Sequence, residues 1–272
     1  MTTLPSQPHG TRAAEIHLVR DVAESFGQNA ARYDRARPSY PADLVDRIVA
    51  ASPGRDVLDV GCGTGIAARL FQAAGCTVLG VDPDPRMAEL ARQGGTPVDV
   101  AKFEDWDPAG RTFDTVVAAQ AWHWVDPVAG AVNAAAALRP GGRLAVFWNA
   151  FEAPAELKVA FAEVFRRAVP ESPLGNFWTR PALDAYRVGC ARAADGMRAT
   201  GAFGEPEEWL SHWERPYTRD EWLDLLPTTG GFTRHSPAVQ EKLLTDIGAA
   251  VDATGGTFTM SFATVASTAV RT

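Results

Sequence analysis

The stretch "DVLDVGCGTG", Asp56 to Gly65, constrains the fold more than any other part of the chain. An apolar run carrying one aspartate reads as a short strand, and glycines at 61, 63 and 65 follow it directly. A helical run, "IAARLFQAAG", begins at once, with Ile66, Leu70 and Phe71 at helical spacing and Gly75 as its C-terminal stop. "TVLGV" is then a second strand, closed by Asp82. A strand feeding a glycine turn and a helix lets backbone N–H groups and a helix N-terminus approach a ligand closely. The rhythm extends in both directions. "YPADLVDRIVAAS" reads as a preceding helix, "DPDPRMAELARQGG" as a following one, and "PVDV", "FDTVVAAQ" and "RLAVFWN" as strands, the last two linked by the helix "DPVAGAVNAAAALRPGG". Strands separated by helices of this length need crossover connections, which predicts a doubly wound α/β fold with a mostly parallel sheet.

Beyond Asn149, "APAELKVAFAEVFRRAVP" and "RPALDAYRVGCARAAD" are two helical patterns with no strand between them. In the first, Leu157, Phe161, Val164, Phe165 and Ala168 form an apolar stripe that must pack on something. A lid over the active edge of the sheet and extra core helices are its two readings. "EEWLSHWERPYT" reads as a strand, and Thr218 with Glu221 has capping-box spacing. Ser236-Pro237 opens a further helix, and "TFTMSFATVAST" alternates Phe258, Met260 and Phe262 along a closing strand. The chain thus divides into a leading cap segment (1–40), a ligand-binding core (41–150), a helical lid or substrate region (151–203) and C-terminal strands and helices that complete the sheet (204–272).

Composition narrows the partners. A formal net charge of -7 argues against a phosphate-backbone partner, so no nucleic acid is expected. No segment is long and apolar enough to span a bilayer, and the opening residues lack the build of a signal peptide. Cys62, Cys76 and Cys190 have neither paired nor CxxC spacing, which points to a reduced, cytoplasmic compartment. His212 and His235 stand alone, no His/Asp/Glu cluster has metal-ligand spacing, and no metal is expected. A serine hydrolase is disfavoured because no GxSxG elbow occurs.

A dinucleotide fingerprint would place its third glycine where Ile66 stands, so the GxGxG spacing argues for another ligand. Asp59 is placed to accept from an ammonium group or to organise the turn, and Asp82 has two oxygens suited to a pair of ribose hydroxyls. On these residues, the sequence from about Phe26 to Asn149 resembles the class I S-adenosylmethionine-dependent methyltransferases, in the small-molecule branch that includes trans-aconitate and quinone-biosynthesis enzymes. The resemblance implies S-adenosylmethionine as cofactor and methyl transfer to a small-molecule oxygen, nitrogen or carbon nucleophile. It also implies a Rossmann-like, seven-stranded sheet with an antiparallel last strand and a helical lid insertion. By the same resemblance Asp59, Gly61, Cys62, Gly63 and Gly65 wrap the methionine part of the cofactor and Asp82 holds the ribose. Pro83 and Met87 line the adenine side, and Lys102, Phe103 and Glu104 form the adenine-contacting turn.

"FGQNAARYDRARPSYP" resembles the family's N-terminal segment that folds over the cofactor, with Tyr33 and Arg37 toward the cofactor and Tyr40 toward the substrate. Arg37 either forms a bidentate pair with a carboxylate of the cofactor or of an acidic substrate, or pairs with Asp34 or another acid on a solvated face. "QAWHWVDP" follows the fourth strand, where parallel sheets place their ligands. Gln120 is assigned to the cofactor, and Trp122, Trp124, Trp148 and Phe151 to the substrate. His123 and Tyr33 are the candidates for removing a proton from the nucleophile. The other reading makes His123 a hydrogen-bonded packing residue and leaves transfer to alignment alone. A cofactor-binding regulatory or scaffold protein without turnover is the second functional class.

Overall fold

The computed structural model describes residues 26–170 and 174–272, so the part of the leading cap segment before Phe26 lies outside the described residues. Seven strands form one sheet: β1 (Asp56–Val60), β2 (Thr77–Asp82), β3 (Val98–Val100), β4 (Phe113–Ala119), β5 (Leu138–Glu152), β6 (Glu207–Thr218) and β7 (Thr257–Val270). Their order is β3-β2-β1-β4-β5-β7-β6. The first five are parallel, and β7 runs antiparallel to both of its neighbours. This is the doubly wound sheet with an antiparallel last strand that the sequence predicts.

Among the described residues nine α-helices surround the sheet: α1 (Ala30–Ala36), α2 (Ala42–Ala50), α3 (Ile66–Ala73), α4 (Pro85–Gln93), α5 (Pro127–Ala137), α6 (Ala155–Ala168), α7 (Ala182–Thr200), α8 (Arg219–Leu225) and α9 (Pro237–Asp252), besides one four-residue turn at Leu174–Phe177. Their starts follow from local chemistry. Asp84 accepts the Arg86 N–H and Asp126 accepts those of Val128 and Ala129, each just ahead of a proline at the first helical position. Thr218 and Glu221 form the expected reciprocal capping box. No described helix is long and apolar enough to cross a membrane.

One apolar layer packs α2 and α3 against the sheet around Leu44, Ile48 and Phe71. On the other layer α5 and α7 cover β4, β5 and β7. Helix α7 approaches α5 so closely that a Cβ on Gly196 would lie 2.2 Å from the Pro127 carbonyl oxygen. The two helical patterns after Asn149 therefore go to different places. Helix α7 lies on the face of the sheet, whereas α6 packs with α8 and α9 in a second core around Phe161 and Trp222. That second core is built on a hairpin that outruns its neighbour. Glu152 of β5 pairs with Ser261, but β6 and β7 continue together to Thr218 and Thr257, carrying Tyr217 and Phe258 into it.

Asp59 lies in the middle of this sheet, opposite Gly80 of β2 and Val117 of β4. It is 0% exposed and neither carboxyl oxygen has a hydrogen-bond partner. Burial pushes its pKa up to about 8, with the charge of Asp82 adding to the shift. The Ala68 N–H, which faces the carboxyl without reaching hydrogen-bond geometry, offsets part of it. A carboxyl that stays protonated in the folded state but ionises near pH 3.9 when unfolded lowers stability as pH rises through that interval. In Asp59→Asn the ionisation is gone, so the melting temperature of the variant relative to the parent should rise between pH 4 and pH 8. A chain of this size gains roughly 2–4 °C per kcal/mol recovered, and a difference that stays constant over that range would show that Asp59 is not the buried acid described.

Candidate functional site

The three glycines after β1 serve three different needs. Gly61 takes φ +64 and passes so near the turn after β4 that an added Cβ would lie 2.5 Å from Ala121 Cβ. Gly63, at φ +55, is open: the nearest atom to an added Cβ is Met87 Cε at 3.5 Å. Gly65 sits at the start of α3, packed near Ala91 and Thr96. The donors of the turn are already used. Gly61 and Cys62 N–H both donate to the Val81 carbonyl oxygen, at 2.8 and 3.2 Å, and Gly63 N–H donates to Asp82 Oδ2 at 2.8 Å. At these three residues the turn offers a ligand space and carbonyl edges, not the free N–H cradle that its glycines suggest.

Asp82 ends β2 beside this turn. Oδ2 accepts from Gly63 and Oδ1 from the Asp84 N–H at 2.9 Å, which leaves each oxygen a further lone pair. Burial raises its pKa to about 6, while the two backbone N–H groups hold it down. Gly61, Gly63, Asp82, Pro83, Met87, Phe103 and Glu104 all line one cavity of 2070 Å³. The loop bearing Phe103 and Glu104 is fixed from α5, because Asn133 Nδ2 donates to both of their carbonyl oxygens and Glu104 Oε1 accepts the Asp126 N–H. Asp59, Cys62 and Gly65 do not line the cavity. The Cys62 thiol is instead buried beneath the turn with Ala88, Ala91 and Val98, and burial pushes its pKa well up.

Helix α1 brings Tyr33 and Arg37 to the same cavity. The alternating charges of this helix are paired selectively. Arg32 and Arg35 both bind Asp224 of α8, at 2.8 Å each, and Asp34 binds Arg69 at 2.7 Å. Arg37 has no carboxylate partner among the described residues; its guanidinium carbon lies 5.0 Å from the Tyr33 ring centre. The chain has four tyrosines, and Tyr33, Tyr40, Tyr186 and Tyr217 all lie within reach of the Arg37 charge. Tyr40 does not itself line the cavity; its ring packs edge-on against Phe147, 5.1 Å between centres. Asn149, which sequence reasoning passes over, donates to the Ser39 carbonyl and accepts from Thr264, so it anchors the leading segment to β5.

At the end of β4, Gln120 adopts φ 56, a left-handed conformation uncommon for a side-chain-bearing residue, while its N–H still donates to the Phe147 carbonyl. Gln120, Trp122, His123, Trp124, Trp148 and Phe151 all line the cavity. His123 Nδ1 accepts a hydrogen bond from Trp148 Nε1 at 3.1 Å, and burial, with the Arg37 charge, lowers its pKa to about 4. The far end of the cavity is walled by Phe177, Trp178, Tyr217, Trp222, Phe232 and Phe262, of which the last four come from the C-terminal quarter. Only Phe177 and Trp178 fall in the region 151–203. A signal for Tyr217 and Trp222 is the aromatic crowding from Trp213 to Trp222, more than a sheet strand needs. Among the described residues, no group of three or more His, Cys, Asp or Glu side chains is gathered to hold a metal ion.

A methyltransferase domain model matches residues 33–186, more than half of the chain. An uncharacterized methyltransferase of Mycobacterium tuberculosis is 41% identical over 133 residues, covering 48% of this chain and 54% of the relative. A ubiquinone biosynthesis O-methyltransferase of Methylobacterium nodulans is 36% identical over 125 residues, covering 41% of this chain and 50% of its own length. This chain thus spans about half the length of those relatives. A solved structure from Anaeromyxobacter dehalogenans, assigned as a type II methyltransferase, shares the fold with a TM-score of 0.63 at 23% identity, over 85% of this chain and 97% of that one. The match runs through the glycine turn, Asp82 and strands β1 to β5, with β6 and β7 beyond it, and the chain belongs to the methyltransferase domain family, with the class I fold.

Proposed function

We propose that this protein transfers the S-methyl group of S-adenosylmethionine to a small-molecule oxygen, nitrogen or carbon nucleophile. The observation that carries the reading is the convergence of Asp82, tied to the Gly63 N–H, and the open face of Gly63 on one cavity. The residues fit the cofactor: Asp82 keeps a lone pair on each oxygen for two ribose hydroxyls, and Gly63 leaves room where any side chain would intrude. When bound, S-adenosylmethionine supplies a methyl group activated on a sulfonium sulfur.

The rest is done by the chain. Pro83, Met87 and Phe103 give an apolar wall for the adenine. Arg37, a cation without a carboxylate partner, takes a carboxylate of the cofactor or of the substrate. Gln120, Trp122 and Trp124 border the position where the methyl group and nucleophile meet, and Trp148 and Phe151 continue into the aromatic end. A drug-sized ligand occupies a pocket of about 300–1,000 Å³, so a cavity of 2070 Å³ has room for a second molecule beside the cofactor. That surplus favours turnover over a cofactor-binding scaffold. The ubiquinone-pathway name of one relative supports a small-molecule acceptor. A reducing, cytoplasmic setting suits three buried free thiols, and the net charge of -7 supports a non-nucleic-acid substrate.

In this reading the cap built from α6, α8 and α9, which reaches the cavity through Phe165, Trp222 and Leu225, closes over both ligands and excludes water. Hydrogen exchange with and without S-adenosylhomocysteine tests this: protection should extend from the glycine turn into α6 and α8, and protection confined to the turn would remove the lid. Calorimetry tests the cofactor site. Asp82→Ala should weaken S-adenosylhomocysteine binding by about 2 to 4 kcal/mol, because hydrogen bonds to a charged acceptor are lost, and Gly63→Val should abolish it. Since Asp82 ionises at about pH 6, affinity should fall as pH drops from 7.5 to 5.5 in the parent protein, and Asp82→Asn should flatten that dependence. Equal affinities for parent and Asp82→Ala would take Asp82 out of the site.

A further inference from the structure

Trp148 dictates the protonation of His123. The indole N–H can only donate, so Nδ1 of His123, 3.1 Å from Trp148 Nε1, carries the lone pair. A neutral imidazole with its acceptor at Nδ1 has its proton on Nε2. Among the described residues Nε2 has no hydrogen-bond partner, and it is not among the sealed, unpartnered atoms of the interior, so it opens to the cavity that His123 lines. Trp148 cannot easily turn away: it is 2% exposed, and a Cβ on Gly189 of α7 would lie 3.6 Å from its ring. Protonating the imidazole would set an Nδ1–H against the indole N–H, two donors facing each other. Burial and the positive charge of Arg37 oppose it further and hold the pKa at about 4. The titratable side chains that face the Arg37 charge are the phenols of Tyr33 of α1, Tyr40, Tyr186 of α7 and Tyr217 of β6, and none of them is a carboxylate.

We infer that Trp148 fixes His123 as a permanent Nε2–H donor, and that the methyl acceptor is an oxygen acid held by this N–H and Arg37, not an amine deprotonated by His123. The inference rests on the methyl-transfer reading for its substrate half and on the Trp148 contact for its tautomer half. A carboxylate or phenolate accepts from Nε2–H and pairs with guanidinium, whereas an ammonium group would face an N–H donor and a like charge at these two groups. The proton of the acid goes to solvent. The oxygen lone pair forms the new O–C bond, the C–S bond breaks with its electron pair retained on sulfur, and the protein accepts no proton. Trp148 is a positioning residue in this scheme.

Two measurements test it. In protein labelled with 15N-histidine, with signals assigned by comparison with His123→Gln, long-range 1H–15N spectra should show His123 neutral and Nε2-protonated from pH 5.5 to 8. Trp148→Phe should convert it to a tautomer mixture that begins to titrate in that range. An Nδ1-protonated ring in the parent protein, or one titrating above pH 6, would overturn the inference, and this reading needs no activity. The second experiment incubates the protein and methyl-labelled S-adenosylmethionine with a cell extract divided beforehand into organic acids and phenols on one side and amines on the other. Label entering the acid and phenol fraction alone is the expected result, and label entering the amines alone would overturn the substrate half. Label in neither would count against methyl transfer itself and remove the substrate half with it, leaving the spectra to decide the tautomer.

Discussion

The hydrogen bond from Gly63 N–H to Asp82 ties the turn after β1 to the end of β2, and the ligand-facing edge of the sheet is arranged around it. It also decides the charge of the site. Asp59 and Asp82 stand at neighbouring strands, 0% and 7% exposed. Asp82 accepts two backbone N–H bonds and keeps a pKa of about 6, so it is ionised at neutral pH. Asp59 accepts none of normal geometry and rises to about 8. Similar burial gives opposite charge states because hydrogen bonding to the ionised form offsets desolvation. A neutral Asp59 is what allows a charged Asp82 so close to it.

Helix α1 is held by many partners and by none of them strongly. Its ion pairs to Asp224 and Arg69 are partly exposed, and such pairs contribute at most about 1 kcal/mol each. Together they span from α8 of the cap to α3 of the core, while Asn149 holds the following residues by the Ser39 carbonyl. The arrangement fixes where Arg37 points more than it adds to stability. Helix α1 thus touches both core and cap, and Arg37 at its end lines the cavity with no carboxylate partner among the described residues.

Where local chemistry decides structure, the sequence is readable. Asp84-Pro85, Asp126-Pro127 and the Thr218–Glu221 pair mark helix starts because capping needs only a few neighbouring residues. The strand, glycines and Asp82 are legible for the same reason. Distant partners are not. The stripes of α6 and α7 look alike along the chain, yet one joins the cap and the other the sheet, since periodicity says that a face is buried and not against what. The charges at 32, 34, 35 and 37 alternate in a way that cannot reveal which remains unpaired, because the acid that takes two of the arginines is Asp224. His123 reads as a base from its position, and the indole N–H that donates to its Nδ1 comes from Trp148 on the next strand, a partner the local sequence does not announce.

The placement of β7 bears on how the chain matures. It follows β6 in sequence, yet it lies between β5 and β6, paired with β5 from Arg143 to Glu152 and with β6 from Glu207 to Thr218. Among the described residues β6 has no other neighbour in the sheet. While the chain is still emerging from the ribosome, β5 therefore presents an open antiparallel slot, and β6 has nowhere to dock until the residues after Thr257 are made. An open strand edge pairs with whatever strand reaches it first. Closing the sheet therefore waits on its last strand, and until β7 arrives the slot between β5 and β6 is an unpaired edge.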